Sequence, residues 1–245
     1  MAGQSTDLAG LKRFAKTLLQ LDIQKTKMSP LVVKHPFTDS GIVGVTGKDG
    51  HLAIANLVDN KEDLKTWRKQ TAGYIDQAES PFQVVVLITK PYLLGFLKFA
   101  RPYLSQKDFS EMLADAWIRS EAPNDDPNLS KPKLLVMFRK ADPNILMNED
   151  ERKILQGLEN PVTVYRGVTS YNAKNVQALS WTLDEKVAQW FAHRYGEQGT
   201  VYQAQIHKDD IYAVFTGRNE SEVIVNPKHL VGIKPVQDLS MDLKM

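Results

Sequence analysis

Apolar residues recur at helical spacing through most of the first 160 residues. From Asp7 to Leu21 they fall every three or four positions, with basic residues on the other side, which predicts an amphipathic helix. The same spacing, with capping residues at several starts, predicts further helices over residues 60–78, 91–104, 106–119, 131–141 and 149–157. Two apolar runs around the Lys-Asp-Gly turn of residues 48–50 predict a hairpin.

The most apolar stretch of the chain runs from Val84 to Ala100. Lys90, Pro91 and Lys98 interrupt it, which argues against a helix that spans a bilayer. A buried strand followed by a core helix is therefore predicted here, and no membrane partner is expected.

The pattern changes at Val162, where the chain becomes a series of short runs rich in Val, Ile, Tyr and Thr. Such runs are typical of strands, and one helical segment, "DEKVAQWFAHRY", interrupts them. The sequence thus predicts an α+β protein: a mainly helical N-terminal region, residues 1–160, packed on a strand-rich C-terminal domain, residues 161–245. The role of residues 1–110 is left open by the sequence.

Composition excludes several kinds of chemistry. The 31 Lys and Arg residues nearly balance the 29 Asp and Glu residues, so the net charge of +2 gives no strong field toward nucleic acid or membrane. Cysteine is absent, and the five histidines lack metal-ligand spacing, so no metal site is predicted. The N-terminus has no apolar signal segment, and a cytoplasmic location is expected.

The first candidate for chemistry is Arg166, in the predicted strand "VYRG". A guanidinium within an apolar strand needs an acceptor, either a carboxylate in a structural ion pair or the phosphate of a ligand. Gly167 beside it would let a ligand approach the backbone.

The second candidate is the segment "LSWTL", in which Ser180 and Thr182 would point to one face of a strand and Trp181 to the other. Thr182 also begins a Thr-Leu-Asp-Glu capping box for the next helix, which would occupy its hydroxyl. Ser180 is therefore the better functional candidate of the two.

The third candidate is the Glu-Ser-Glu of "FTGRNESEVIV". In an extended strand Glu220 and Glu222 would share one face, with Cα atoms about 6.5–7 Å apart. Two carboxylates so arranged suit cleavage of a glycosidic bond through a cationic transition state. Taken alone, such a pair is more often a solvated surface feature.

Taken in order, Arg, then Ser-x-Thr, then Glu-x-Glu resembles the arginine-serine-glutamate clan of mono-ADP-ribosyltransferases. The resemblance extends over residues 162–227 and includes the helix "VAQWFA" after the serine and the turn "TGRN" before the glutamates. Further upstream, "DAWIRSEAPNDDPN" and "LMNEDE" resemble bacterial and bacteriophage proteins that end in such a domain. The resemblance implies a split β-sandwich that binds NAD, as a co-substrate and without a metal, in its central cleft.

The resemblance also implies roles for the three motifs. Arg166 would hold the phosphates of NAD, and Ser180, with a lesser share for Thr182, would orient the catalytic acid. Glu222 would bind the 2′-hydroxyl of the nicotinamide ribose and stabilise the charge that develops as nicotinamide leaves. Glu220 would orient and deprotonate the acceptor.

Two further roles concern the surroundings of these motifs. The turn of residues 216–219 would contact the target. Phe191 or Trp190 would stack on nicotinamide, although their helical spacing favours core packing instead.

The function implied is transfer of ADP-ribose from NAD to a macromolecular acceptor, with an arginine of a host protein favoured, by an effector of bacterial or phage origin acting inside a host cell. Within enzymology the alternatives are modification of a nucleic-acid base and simple hydrolysis of NAD. An alternative of another class is a partner-binding protein that keeps the cleft as a relic. The sequence fixes neither the target nor the oligomeric state.

Overall fold

The computed structural model describes residues 4–29, 31–47, 49–172 and 176–236. The protein is of the α+β class, and the chain divides into two compact units, Met1–Asn128 and Leu129–Met245. Among the described helices, none combines the length and the apolar character that crossing a bilayer requires.

As far as the structure describes it, the first unit is a set of helices with two small antiparallel sheets. Its helices are α1 (Leu8–Leu19), α2 (Lys61–Gln77), α3 (Pro81–Val85), α4 (Leu93–Ala100) and α5 (Gln106–Arg119). Its strands are β1 (Gln24–Lys25), β2 (Val32–His35), β3 (Thr38–Ser40), β4 (Ile42–Thr46) and β5 (Leu52–Asn56). Strands β1, β2 and β3 form one sheet, which the sequence pattern does not predict, and β4 and β5 form the predicted hairpin. Lys48 of its turn lies outside the described residues.

Local capping signals account for the confirmed helices of this unit. The side chain of Asp7 accepts a hydrogen bond from the Gly10 amide at the start of α1, and Asn60 accepts from the amides of Glu62 and Asp63 at the start of α2. These side chains satisfy amide groups that have no partner within the helix, and so fix where each helix begins.

The buried strand predicted from Val84 onward is wrong. Residues 81–85 form helix α3, which begins with Pro81 at its first position and Ser80 as its cap. Proline is tolerated at the first helical position, since its missing N–H would have no helical partner there. A short apolar run has no periodicity of its own, so the Ser-Pro start decides the structure.

In its described residues, the second unit consists of one six-stranded antiparallel sheet and four α-helices. Its helices are α6 (Lys131–Lys140), α7 (Pro143–Leu146), α8 (Glu149–Gly157) and α9 (Glu185–His193). Its strands are β6 (Val162–Val168), β7 (Ser180–Thr182), β8 (Thr200–Ile206), β9 (Ile211–Phe215), β10 (Glu222–Val225) and β11 (Val231–Pro235). Their order in the sheet is β11-β8-β6-β7-β10-β9, and every neighbouring pair is antiparallel.

The division between the units differs from the predicted boundary at residues 160/161. Helices α6, α7 and α8 contact β9 and therefore belong to the strand-rich unit. The strand-rich pattern that starts at Val162 marks where the sheet begins in the sequence, whereas the compact unit begins three helices earlier, at Leu129.

The six-stranded sheet is held together weakly at its centre. Strand β6 pairs with β8 along its whole length, from Val162 to Val168, but pairs with β7 only at Tyr165 opposite Thr182. The sheet is therefore two three-stranded halves, β11-β8-β6 and β7-β10-β9, whose ladder pairing is limited to a single residue pair.

Helix α9 lies directly on the backbone of β6 at Gly167. A Cβ atom at this position would lie 2.0 Å from the carbonyl oxygen of Ala188 and 2.6 Å from the amide nitrogen of Ala192. The prediction that this glycine leaves room for a ligand is therefore wrong on the Cβ side, because the helix fills that space.

Replacing Gly167 with alanine is expected to destabilise the protein by about 3 kcal/mol, the upper end for overpacking, because helix backbone cannot move aside as a side chain can. Gly157, at the end of α8, is the matched control, since nothing lies within 4 Å of its Cβ position. Gly157→Ala should change the free energy of unfolding by less than about 1 kcal/mol. Urea unfolding measures both, and equal effects of the two substitutions would contradict the packing described.

His35 makes the stability of the first unit dependent on pH. Its side chain is buried, and its Nδ1 accepts a hydrogen bond from the Phe37 amide at 3.1 Å. Burial lowers the pKa of His35 from its ordinary value of 6.5 to about 4, and the Arg68 guanidinium lowers the pKa further in the same direction. The folded state thus favours the neutral ring, and stability is lost as pH falls from 6.5 to about 4.

The loss attributable to His35 is expected to reach about 3 kcal/mol below the lower pKa. In His35→Asn, the side-chain oxygen can replace Nδ1 as the acceptor but cannot titrate. The difference in unfolding free energy between the wild type and this variant should therefore change by about 3 kcal/mol between pH 7 and pH 4. Parallel pH profiles of urea unfolding would contradict the burial of a neutral imidazole.

Candidate active site

Strands β7 and β10 bring the second and third sequence motifs into contact. In their antiparallel register Glu222 lies opposite Thr182, and Ile224 lies opposite Ser180. Ser180 and Glu222 are thus diagonal neighbours on one face, and the hydroxyl of Ser180 donates a hydrogen bond to Oε1 of Glu222.

Glu222 is a buried carboxylate, with 5% of its surface exposed. A buried carboxylate requires hydrogen bonds or an opposite charge to offset its lost hydration. The Ser180 hydroxyl supplies one hydrogen bond, and Nη2 of Arg218 lies 3.6 Å from Oε2. The site therefore holds a carboxyl group in a fixed position, shielded from water.

Glu220 lies close to Glu222, but the backbone between them does not have the extended conformation that was predicted. Strand β10 begins only at Glu222, and Ser221 has a φ of 43°, so residues 220–222 are not extended. Asn219 also has a positive φ, of 56°, and its amide donates to the Thr216 carbonyl at 2.9 Å. A tight turn, not the pleat of a strand, therefore brings the two glutamates together.

One guanidinium joins these two carboxylates. Nη2 of Arg218 lies 3.0 Å from Oε2 of Glu220 and 3.6 Å from Oε2 of Glu222. The Glu220 side chain is more accessible than that of Glu222, with 22% against 6% of the side chain exposed. One carboxylate is thus buried, and the other lies nearer the surface.

Thr182 fastens this turn and does not cap the next helix. Its hydroxyl donates to the Glu220 carbonyl at 2.5 Å and accepts from the Asp184 amide at 3.1 Å. The capping box predicted from Thr182 is wrong, since the cap of α9 is Asp184, which accepts from the Lys186 amide at 2.8 Å. Strand β7 lies next to β10, so the Glu220 carbonyl is within hydrogen-bonding distance of the Thr182 hydroxyl. The hydroxyl therefore binds this carbonyl instead of capping α9.

Glu151, on α8, holds the other end of the turn. One oxygen of its buried carboxylate accepts from the Asn148 amide, which completes the capping box at the start of α8. The other oxygen accepts from the amide of Thr216 at 2.9 Å and from its hydroxyl at 3.2 Å. No local sequence signal reveals this second contact, which joins residues 65 positions apart.

Arg166 links the two halves of the sheet where the strands separate. Its Nη1 donates to the main-chain carbonyl of Ser180 at 2.6 Å, just beyond the single pair formed by Tyr165 and Thr182. The guanidinium thus provides a hydrogen-bond donor for a carbonyl of β7 that lies beyond the end of the pairing between β6 and β7. This contact places the first motif directly beside the second.

Phe191 lies on the helix that covers β6. Its Cβ is among the atoms closest to the Cβ position of Gly167, and the Arg194 guanidinium lies 5.2 Å from its ring centre. The Trp190 ring meets it edge-on at 4.9 Å, while the indole itself is largely exposed. These contacts fit the packing interpretation of Phe191, and they leave Trp190 as the more accessible aromatic ring.

Within the part of the chain that the structure describes, no group of three or more histidine or carboxylate side chains could hold a metal ion. Comparison with known proteins gives no relative, since no family model, no curated protein and no solved structure matches the chain.

Proposed function

We propose that the protein is a mono-ADP-ribosyltransferase, which cleaves NAD and transfers ADP-ribose to a macromolecular acceptor with release of nicotinamide. The observation that carries the proposal is the buried carboxylate of Glu222, hydrogen-bonded by Ser180 from the neighbouring strand and paired through Arg218 with a second carboxylate, Glu220. This arrangement joins two of the three motifs on which the resemblance to that clan rests.

Glu222 is the group suited to stabilise positive charge on the ribose as the bond to nicotinamide breaks. A fixed carboxylate in a site shielded from water interacts with developing positive charge more strongly than it would in bulk solvent. Ser180 orients it through the hydrogen bond to Oε1, so no reorganisation is required when the charge appears.

Arg166 is the group suited to the phosphates of the substrate. Its guanidinium lies at the Ser180 carbonyl, and a forked cation matches phosphate oxygens. Its position beside Ser180 would align the diphosphate with the buried carboxylate.

Glu220 is the group suited to the acceptor. It lies on a turn rather than in the sheet, is more exposed than Glu222, and already holds a guanidinium at 3.0 Å. A carboxylate that binds a guanidinium and can take its proton favours arginine as the acceptor.

The form of the sheet supports the finer fold that the resemblance implies. Two three-stranded halves whose ladder pairing is limited to Tyr165 and Thr182 fit a split β-sandwich with a central cleft. Ser180 and Arg166 lie next to that junction.

Incubation of the full chain with NAD labelled in its adenylate part tests the proposal, with agmatine as a small guanidine acceptor and with lysate as a source of macromolecules. Nicotinamide release together with label on agmatine, or on material that protease removes, is the expected result. Label that nuclease removes would indicate a nucleic-acid base, and release without any transfer would indicate hydrolysis. A folded protein that releases no nicotinamide under any of these conditions would overturn the proposal in favour of a non-catalytic role.

A further inference from the structure

Arg218 lies where the proposed reaction needs its acceptor. The acceptor nitrogen must lie beside the carboxylate that takes its proton and close to the carboxylate that stabilises the ribose cation. Nη2 of Arg218 meets both conditions, at 3.0 Å from Glu220 and 3.6 Å from Glu222.

The turn that carries Arg218 is fixed at both ends, so this position is a built feature of the fold. On one side Thr216 is bound to Glu151, and on the other the Ser221 carbonyl accepts from the Leu183 amide at 3.0 Å. The Glu220 carbonyl is held by Thr182 as well. About a third of the Arg218 side chain is exposed, at 34%, which leaves an open approach to the guanidinium.

Proximity is the main requirement for such a reaction. Holding nucleophile and electrophile in one molecule at contact distance removes the entropic cost of bringing them together, which is worth many orders of magnitude in rate. An external arginine must displace Arg218 from the glutamates, whereas Arg218 is already there.

We propose that Arg218 is itself an acceptor, so that the enzyme ADP-ribosylates its own turn. The proposal rests on the proposed function. The bond between the ribose C1″ and the nicotinamide nitrogen breaks, and its electron pair leaves with neutral nicotinamide. A guanidine nitrogen of Arg218 forms the new bond to C1″, and the proton that it loses passes to Glu220 and then to solvent. No oxidant, reductant or further co-reactant is involved.

The test incubates the full chain with NAD, digests it with trypsin and locates the added ADP-ribose by mass spectrometry. The wild type should carry the group on Arg218, with a missed cleavage after that residue, because trypsin requires an unmodified guanidinium. The labelled fraction at a given time should not depend on protein concentration, as expected of a reaction within one molecule.

Arg218→Lys is the test variant, since it keeps a positive charge beside the glutamates and lacks the guanidine. It should lose the self-label, while the modification of agmatine by the wild type reports separately on the transferase activity. Arg139→Lys is the matched control: Arg139 lies on α6, donates to the Tyr212 hydroxyl at 3.0 Å, and should not affect the self-label.

The outcomes separate this inference from the proposed function. Modification of agmatine with label elsewhere than on Arg218, or with self-label that persists in Arg218→Lys, overturns the inference and leaves the transferase proposal intact. Self-labelling that rises with protein concentration overturns the reaction within one molecule. If neither agmatine nor the protein is modified and no nicotinamide is released, both proposals fail.

Discussion

Replacing Glu222 with glutamine is expected to lower nicotinamide release from NAD by about 10²–10³-fold, the loss typical of removing one electrostatic stabilising group from an active site. The amide keeps the size of the carboxylate and can still accept the hydrogen bond of Ser180, but it carries no charge to stabilise the ribose cation. The loss should therefore appear in kcat more than in KM.

A second Ser–Glu pair in the same unit provides the control. Ser170 donates to Oε2 of Glu197 at 2.8 Å on the exposed surface, so Glu197→Gln removes a serine-bound carboxylate without touching the site. This variant should release nicotinamide at the wild-type rate. Glu222→Gln is also expected to fold, because a buried amide costs less hydration than a buried carboxylate. A folded Glu222→Gln enzyme with full activity would remove Glu222 from the chemistry.

Replacing Glu220 with glutamine is expected to separate the two halves of the reaction. Transfer to agmatine should fall by about 10²–10⁴-fold, the contribution typical of a positioned general base, because the amide cannot take the guanidinium proton. Hydrolysis of NAD should persist, since Glu222 and its bond to Ser180 are unchanged. The measurement is the ratio of ADP-ribosyl agmatine to free ADP-ribose at equal nicotinamide release.

The Glu220→Gln substitution also tests whether the ion pair between Glu220 and Arg218 has a role in the reaction. If hydrolysis falls as steeply as transfer, Glu220 acts on the cleavage step as well, and the division of roles between the two glutamates is wrong. If both persist, the pairing of Glu220 with Arg218 at 3.0 Å is only structural. Glu197→Gln again serves as the control, because it removes an equal charge from the same unit.

Helices whose starts carry a local signal could be predicted from the sequence. Asn60, Ser105 and Asn148 each accept a hydrogen bond from a backbone amide two or three residues later, at the start of the helix that follows. All three helices lie where the sequence pattern predicts them. The run from Val84 fails for the complementary reason, because a short apolar segment fits a strand and a buried helix equally well. There the weaker Ser-Pro signal at residues 80–81 decided the structure.

The residues of the candidate site could be selected from the sequence, but their geometry could not. Ser180 and Glu222 follow from the order of motifs, whereas their contact depends on the register of β7 against β10, which joins residues 42 positions apart. The left-handed conformation of Ser221 was missed because an extended strand is the default for such a sequence. Contacts from Thr182 and Leu183 hold this conformation, and no local pattern reports them.

The two oxygens of Glu151 have consequences for how this protein could change over time. One oxygen completes the start of α8, and the other anchors Thr216, so the same carboxylate holds both a helix and the turn that carries Glu220. Residues 217–219 lie between these fixed points and make no such contribution to the helix. Under the proposed function, we expect target preference to vary through Gly217 and Asn219, while Arg218 and the anchors on either side stay constant.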